Sequence, residues 1–268
     1  MKHGTLIIII ILSLFPLGLM IINSFKDPSQ YLVNPIGLMF PLHFENYISS
    51  FTYIGPYFFW TFLVIFVGIS MNLLTSSIAA YAFSRYRFRG SGIIYTMIIG
   101  LMFIPAVLVL FPLYLWNVRL GLKDVYGLMV SYWILGHCFS IFLLTNFFRS
   151  IPEELLEAAR IDGAGHLTIW WKIVVPLSIP ILTTLAIMML LWIYTNDYVW
   201  QYIMSSNTSR KMIPVVVRGL SQSGSGGADL NKGREMAGYV IASVPMLVAF
   251  LLASKTFIRG MTSGSIKG

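Results

Sequence analysis

Charge decides where this chain can go, because Asp, Glu, Lys and Arg are absent from six long stretches of it. These are Gly4–Phe25, Asn46–Ser84, Gly90–Val118, Val125–Phe148, Ile173–Asn196 and Met236–Ser254. They run for 22, 39, 29, 24, 24 and 19 residues and cover 157 of 268 positions. A membrane-crossing helix takes about 20 apolar residues, and a charge at its centre costs roughly 2.5–3.5 kcal/mol on insertion. Six stretches predict six crossings, at approximately 4–25, 56–84, 92–116, 125–148, 173–203 and 236–255. A seventh charge-free piece, Pro28–Phe44, is short and interrupted by Pro28, Pro35 and Pro41, so it reads as an extramembrane connector.

Composition closes the other routes. Only 10% of residues are charged against 57% apolar, where a soluble domain carries about 25% charged residues. The 19 Phe, 14 Tyr and 7 Trp require burial, which excludes disorder. Runs such as Leu6–Leu12 and Ile181–Ile193 show none of the alternation a membrane β-barrel needs. The first apolar run leads into Asn23-Ser24-Phe25 without a small-residue cleavage site, so it reads as an uncleaved span. The expected fold is an all-α polytopic membrane protein, with residues 1–268 forming a single transmembrane domain.

Orientation follows the basic residues. Arg85, Arg87 and Arg89 come directly after a span, where the positive-inside bias is strongest. That places both termini and the 149–172 connector in the cytoplasm, and the 205–235 connector outside. The net charge of +8 suits anionic lipid headgroups and gives no reason to invoke nucleic acid. Cys138 is the single cysteine, so no internal disulfide can form. The four histidines lie on different connectors and spans, without metal-ligand spacing, and His137 and Cys138 read as packed core.

The 205–235 connector looks long and soft around Ser221–Gly227. The 149–172 connector has more design. Ser150-Ile151-Pro152-Glu153 has the pattern of a capping box, with Ser150 as cap and Glu153 reaching back. Glu153, Glu154 and Glu157 favour the positive end of the helix dipole. Leu155, Leu156, Ala158, Ala159 and Ile161 add small and apolar groups, and Asp162-Gly163 ends the helix. An interfacial anchor would show a Lys/Arg-rich face, whereas carboxylates and small residues suit a knob that docks in a partner. The residues alone leave anchor and knob both open.

Glu157-Ala158-Ala159, then Gly163 after three residues, then Ile173-Val174-Val175-Pro176 after nine more, resembles the EAA motif of ABC-importer permeases. Val175 departs from the usual Leu. Further pieces resemble the sugar-importer, maltose-permease-like branch of the type I importers. They are Ala79–Arg85, Arg87–Gly90, Pro112–Tyr114, Ile151–Leu155, Ile161–Ala164 and Thr262–Gly268, in order along nearly the whole chain.

The resemblance implies one half of a translocation pathway in a bacterial inner membrane. A second, non-identical permease would supply the other half. Two cytoplasmic subunits would bind and hydrolyse ATP with its magnesium, and an extracytoplasmic binding protein would deliver the sugar. Glu153, Glu154, Glu157, Ala158, Ala159, Asp162 and Gly163 would couple to the ATPase. This chain shows no phosphate-binding loop and would carry no cofactor and no catalysis of its own.

Asn196, Asp197 and Tyr198 are candidates for a pathway or gating role. Asp197 lies 17 residues after Pro180, roughly 25 Å along a helix and near a membrane boundary. A functional acid and a simple cap are both open there. Trp192, Tyr194, Tyr198, Trp200 and Tyr202 form either an interfacial aromatic belt or, in part, a platform for sugar rings. Two other classes compete. An ion-coupled secondary transporter would normally show paired intramembrane acids or inverted repeats, and an intramembrane enzyme would need a nucleophile–base pair.

Overall fold

The computed structural model describes residues 2–205, 209–220 and 231–263, and among them every regular element is helical. In chain order α1 spans Lys2–Ser24, α2 Pro28–Val33, α3 Glu45–Ile54, α4 Pro56–Arg85, α5 Ser91–Leu101, α6 Ala106–Arg119, α7 Asp124–Ile134 and α8 His137–Arg149. Then come α9 Glu153–Ile161, α10 His166–Ile169, α11 Val175–Leu177, α12 Ile179–Leu191, α13 Tyr198–Ser205, α14 Ile213–Gly219 and α15 Lys232–Ser263. Two turns, Trp170–Val174 and Trp192–Asn196, are wound as π-helix.

Among these residues five segments are long and apolar enough to cross a membrane: Gly4–Ser24, Pro56–Arg85, Asp124–Arg149, Ile179–Asn196 and Lys232–Leu252. The chain is an all-α polytopic membrane protein, as the charge map predicts. The third expected crossing differs in form. Over 92–116 the sequence predicts one crossing helix, whereas α5 and α6 meet at a bend of 101°. Pro105 causes it, because it has no N–H to donate and its ring drives Ile104 out of the helical region. The fifth crossing, expected as one helix over 173–203, is likewise built of pieces. Pro176 cannot return an N–H to the Lys172 carbonyl, and the turn before it is π-wound.

The residues group into two compact units, Met1–Thr61 with Ser209–Val248, and Phe62–Thr208 with Ala249–Gly268. In the first unit α1 is exposed over residues 4–17, and none of its best crossing window is buried. The proline-interrupted connector contains a helix after all. Pro28 sits in its first turn, where a missing N–H costs nothing, and Asp27 caps it by accepting from the Gln30 N–H at 2.8 Å. That bond holds the Asp27 carboxyl below its usual pKa. The 205–235 connector is not wholly soft either. Ile213, Val215, Val216 and Val217 bury one side of α14, because such an apolar run has no stable place in water. The glycine-rich Ser221–Gly227 lies outside the described residues, as does most of Thr262–Gly268.

A polar knot ties this unit together. Lys26 is fully buried, and its Nζ donates to Asn23 Oδ1 at 2.7 Å and the Asn34 carbonyl at 2.6 Å. Asn46 Nδ2 donates to the Ser24 and Lys26 carbonyls at 3.0 and 2.9 Å. Ser50 Oγ reaches the Arg234 carbonyl at 2.7 Å. Gly233 packs so close that an added Cβ would lie 1.9 Å from the Lys26 carbonyl oxygen. Gly233→Ala is therefore expected to destabilise the protein by about 1–3 kcal/mol, the scale of overpacking. Thermal unfolding of the detergent-purified protein checks this, with Gly18→Ala, where the Cβ meets nothing within 4 Å, as a variant expected to show no loss.

Candidate functional site

The second unit holds the 149–172 connector, and its anchor is Arg85 at the end of α4. The side chain is only 7% exposed. Its Nη2 donates to the Phe148 carbonyl and, at 2.7 Å, to that of Ile151, while Nη1 pairs with Glu153 Oε2. Arg160 meets the other Glu153 oxygen at 3.3 Å. One guanidinium thus closes the end of α8 and sets the start of α9.

This arrangement corrects the capping box read from the sequence. Pro152, not Ser150, stands at the cap position, and no side chain caps α9. Ser150 Oγ instead donates back to the Phe147 carbonyl at 2.7 Å. Glu153 is drawn away because a guanidinium offers a charge-assisted bond that a backbone N–H does not match.

The far end of α9 forms as expected. Gly163 has φ of 81°, and its N–H donates to the Arg160 carbonyl at 3.0 Å while that of Ala164 reaches Ala159 at 2.9 Å. This is a Schellman stop, which requires the left-handed backbone glycine adopts most easily.

Leu156 is the keel. It is fully buried in a cluster with Tyr81, Leu144, Phe148, Ile169 and Trp170. Tyr86 stacks edge-on against His166 at 5.1 Å and steadies α10. With that side fixed, the other is bare. Glu154, Glu157, Ala158, Asp162 and Gly163 are exposed and Ala159 is half-buried. Ile161, Leu167 and Trp171 are 86%, 73% and 60% exposed, too much apolar surface on one short connector to be incidental. The sequence-predicted coupling residues are thus brought together, except that Glu153 belongs to the anchor.

The second candidate group is split by the structure. Asn196 is exposed, Tyr198 half-buried and Asp197 buried. Asp197 accepts from the Tyr132 hydroxyl at 2.7 Å and from the Trp200 N–H, so it caps α13 where the helix restarts after the π turn. Asn72, on α4, performs the matching service at the break between α7 and α8. Gly136 there has φ of 83°, and Asn72 Nδ2 donates to the Trp133 and Leu135 carbonyls at 2.9 and 3.0 Å. His137, read as packed core, faces the same group, with Nδ1 2.9 Å from Asn72 Nδ2 and Nε2 2.7 Å from Thr75 Oγ1.

Arg85, Leu156, Asn72 and Tyr132 are the residues sequence reasoning missed as site residues. For Arg85 a signal existed: a cation directly after an apolar span has carbonyl ends within reach.

Residues 72–260 match the family described as binding-protein-dependent transport system inner membrane component. The match takes in well over half of the chain, and the chain belongs to that family: it is a multi-pass inner-membrane transport subunit. A chain of Caldicellulosiruptor sp. described as an ABC transporter permease protein is 34% identical over 259 residues, covering 94% of this chain and 91% of that one. The arabinooligosaccharides transport system permease protein AraQ of Halalkalibacterium halodurans is 28% identical over 265 residues, covering 96% and 92%. A bacterial ABC transporter of known structure, involved in the import of the acidic polysaccharide alginate, contains a chain of the same fold. Its TM-score is 0.80 at 23% identity, with 96% of this chain and 95% of that chain covered.

Removing the anchor is expected to loosen α9 without unfolding the bundle. Arg85→Met and Arg85→Lys should speed amide exchange over 153–161 by an amount equivalent to about 1–3 kcal/mol of local stability. Glu153→Gln should do less, since its carboxylate is half exposed. Hydrogen-exchange mass spectrometry of the purified complex reads both.

Proposed function

We propose that this chain is one of two non-identical permease subunits of an ATP-driven importer for a sugar or oligosaccharide. The observation that carries the proposal is the one-sided α9, latched to the bundle by Arg85 and Leu156 while its carboxylates and apolar residues stand free. A helix fixed in this way acts as a lever. When two ATPase subunits close on ATP and magnesium, a helix seated in their groove passes the motion to the bundle as a rigid body. Glu154, Glu157, Ala158, Ala159, Asp162 and Gly163 form the seated face, and Glu153 holds it in place. Both termini and this connector lie in the cytoplasm.

Sugar as cargo is supported by the transport names of the relatives and by the run of sugar-branch sequence pieces. An extracytoplasmic binding protein selects the sugar, and the glycine-rich segment of 205–235 meets that protein. Asn196, Asp197 and Tyr198 border the pathway, with Asp197 holding the wall in shape.

Two substitutions test the lever. An added Cβ at Gly163 meets nothing within 4 Å inside this chain, so any clash must come from a partner. Gly163→Leu should leave insertion intact but abolish uptake and the response of ATP hydrolysis to loaded binding protein. Gly163→Asn separates the causes, since Asn tolerates the left-handed backbone: loss of coupling there too marks a steric fit to the ATPase. Glu157→Gln should weaken assembly or coupling by about 1.5–3 kcal/mol if its carboxylate bonds the partner. A dipole effect alone would cost about 0.3–1 kcal/mol and spare transport. Reconstituted uptake and ATPase assays decide, and normal transport by Gly163→Leu would remove α9 as the lever.

A further inference from the structure

The second unit carries a half-open cavity of about 440 Å³, in the size class that takes small ligands. Three interruptions of helical backbone converge on it. Ala106 lines it directly after the Pro105 bend, Leu135 and Gly136 line it at the break between α7 and α8, and Trp192 lines it from the π turn. Irregular backbone at membrane depth survives only where protein covers it or where it borders a cavity. Broken and π-wound helices recur where transporters bind cargo.

One wall is aromatic. Tyr132 is 1% exposed, and its hydroxyl is fixed to Asp197 at 2.7 Å. Its ring stands perpendicular to that of Trp192, with centroids 6.4 Å apart. Trp192 is 39% exposed, and among the described residues no acceptor meets its indole N–H. Met188 and Met189 add flexible, polarisable chains that adapt to a changing occupant, and Phe139, Leu185 and Ile193 complete the lining.

We propose that this cavity is a substrate subsite in which a sugar ring of the cargo stacks its C–H face on Trp192, while the indole N–H donates to a ring hydroxyl. The inference rests on the sugar-import reading above. The chemistry favours a sugar in transit. An apolar wall with one aromatic plane and one free donor holds a ring without matching its full hydroxyl pattern. Such a contact is loose enough to release the cargo onward, as conduction requires. Asp197 is then a positioning residue, which fixes Tyr132 and so the angle of the aromatic wall.

The test uses the whole importer in proteoliposomes, with companion permease, ATPase subunits and binding protein. The probes are radiolabelled maltotriose, cellotriose and arabinotriose, with assembly checked by gel filtration. Trp192→Leu should assemble and reduce the initial uptake rate at low sugar concentration by roughly threefold to tenfold, the scale of one aromatic contact. Trp192→Phe, which keeps a ring but has no N–H, should recover only part of the rate, and Met189→Trp, which fills the cavity, should stop uptake in an assembled complex. Wild-type rates in both Trp192→Leu and Met189→Trp would overturn the subsite and leave the cavity to lipid. Failure of both variants to assemble would overturn it in favour of packing against the companion permease. If wild type imports none of the three sugars while its ATPase responds to the binding protein, the sugar reading itself falls, and the subsite with it.

Discussion

In hydrocarbon a backbone carbonyl that loses its helical donor has no water to turn to, and most of this structure follows from that constraint. At three of the places where helical bonding stops, a side chain from elsewhere meets the carbonyls left over. Asn72 serves the carbonyls of Trp133 and Leu135, Gln201 donates to that of Ile193 beside the π turn, and Arg85 serves Phe148 and Ile151. Asp197 answers the opposite need by accepting the Trp200 N–H where α13 begins. An unmet group would cost several kcal/mol in lipid.

Arg85 shows how such a repair becomes a functional part. The guanidinium that closes α8 also grips Glu153, so α9 starts at a fixed place and angle. Leu156 then settles one side of the helix into the cluster around Phe148 and Trp170. What remains outside is a face of acids and apolar groups on a rigid stub. Stability on one side and exposure on the other are the two properties a transmitting helix needs. Both arise from the same few contacts.

The breaks also place flexibility. A continuous helix such as α4 moves as a rod, whereas a helix interrupted at Gly136 or Asp197 has a joint held by one or two hydrogen bonds. Exchanging those bonds for others is a small free-energy change, which is the kind of bistability that alternating access requires. The cavity bordered by three joints therefore lies where relative motion of the second unit's own helices would change its shape.

The helical class and the long apolar helices near 4–25, 56–84 and 236–255 were legible because they depend on unbroken runs without charge, a property of neighbours in sequence. Gly163 was legible for the same reason, since a left-handed stop is decided within one turn of helix. The bend at Pro105 was written in the sequence too, although charge counting alone passed over it. The start of α9 and the closures at the helix breaks were not legible. Ser150 had the right local pattern and lost to Arg85, which arrives from 68 residues away at Glu153. Tyr132 and Asp197 are separated by 65 residues, as are Asn72 and His137. By itself the sequence determined that the chain crosses a membrane as helices and carries an acid-tipped connector, because hydrophobic length and local backbone preference act along the chain. Only the tertiary structure decided which side chains close the breaks at Gly136 and beside Asp197 and which one anchors α9, because those partners meet through space and leave no trace in the spacing of their neighbours.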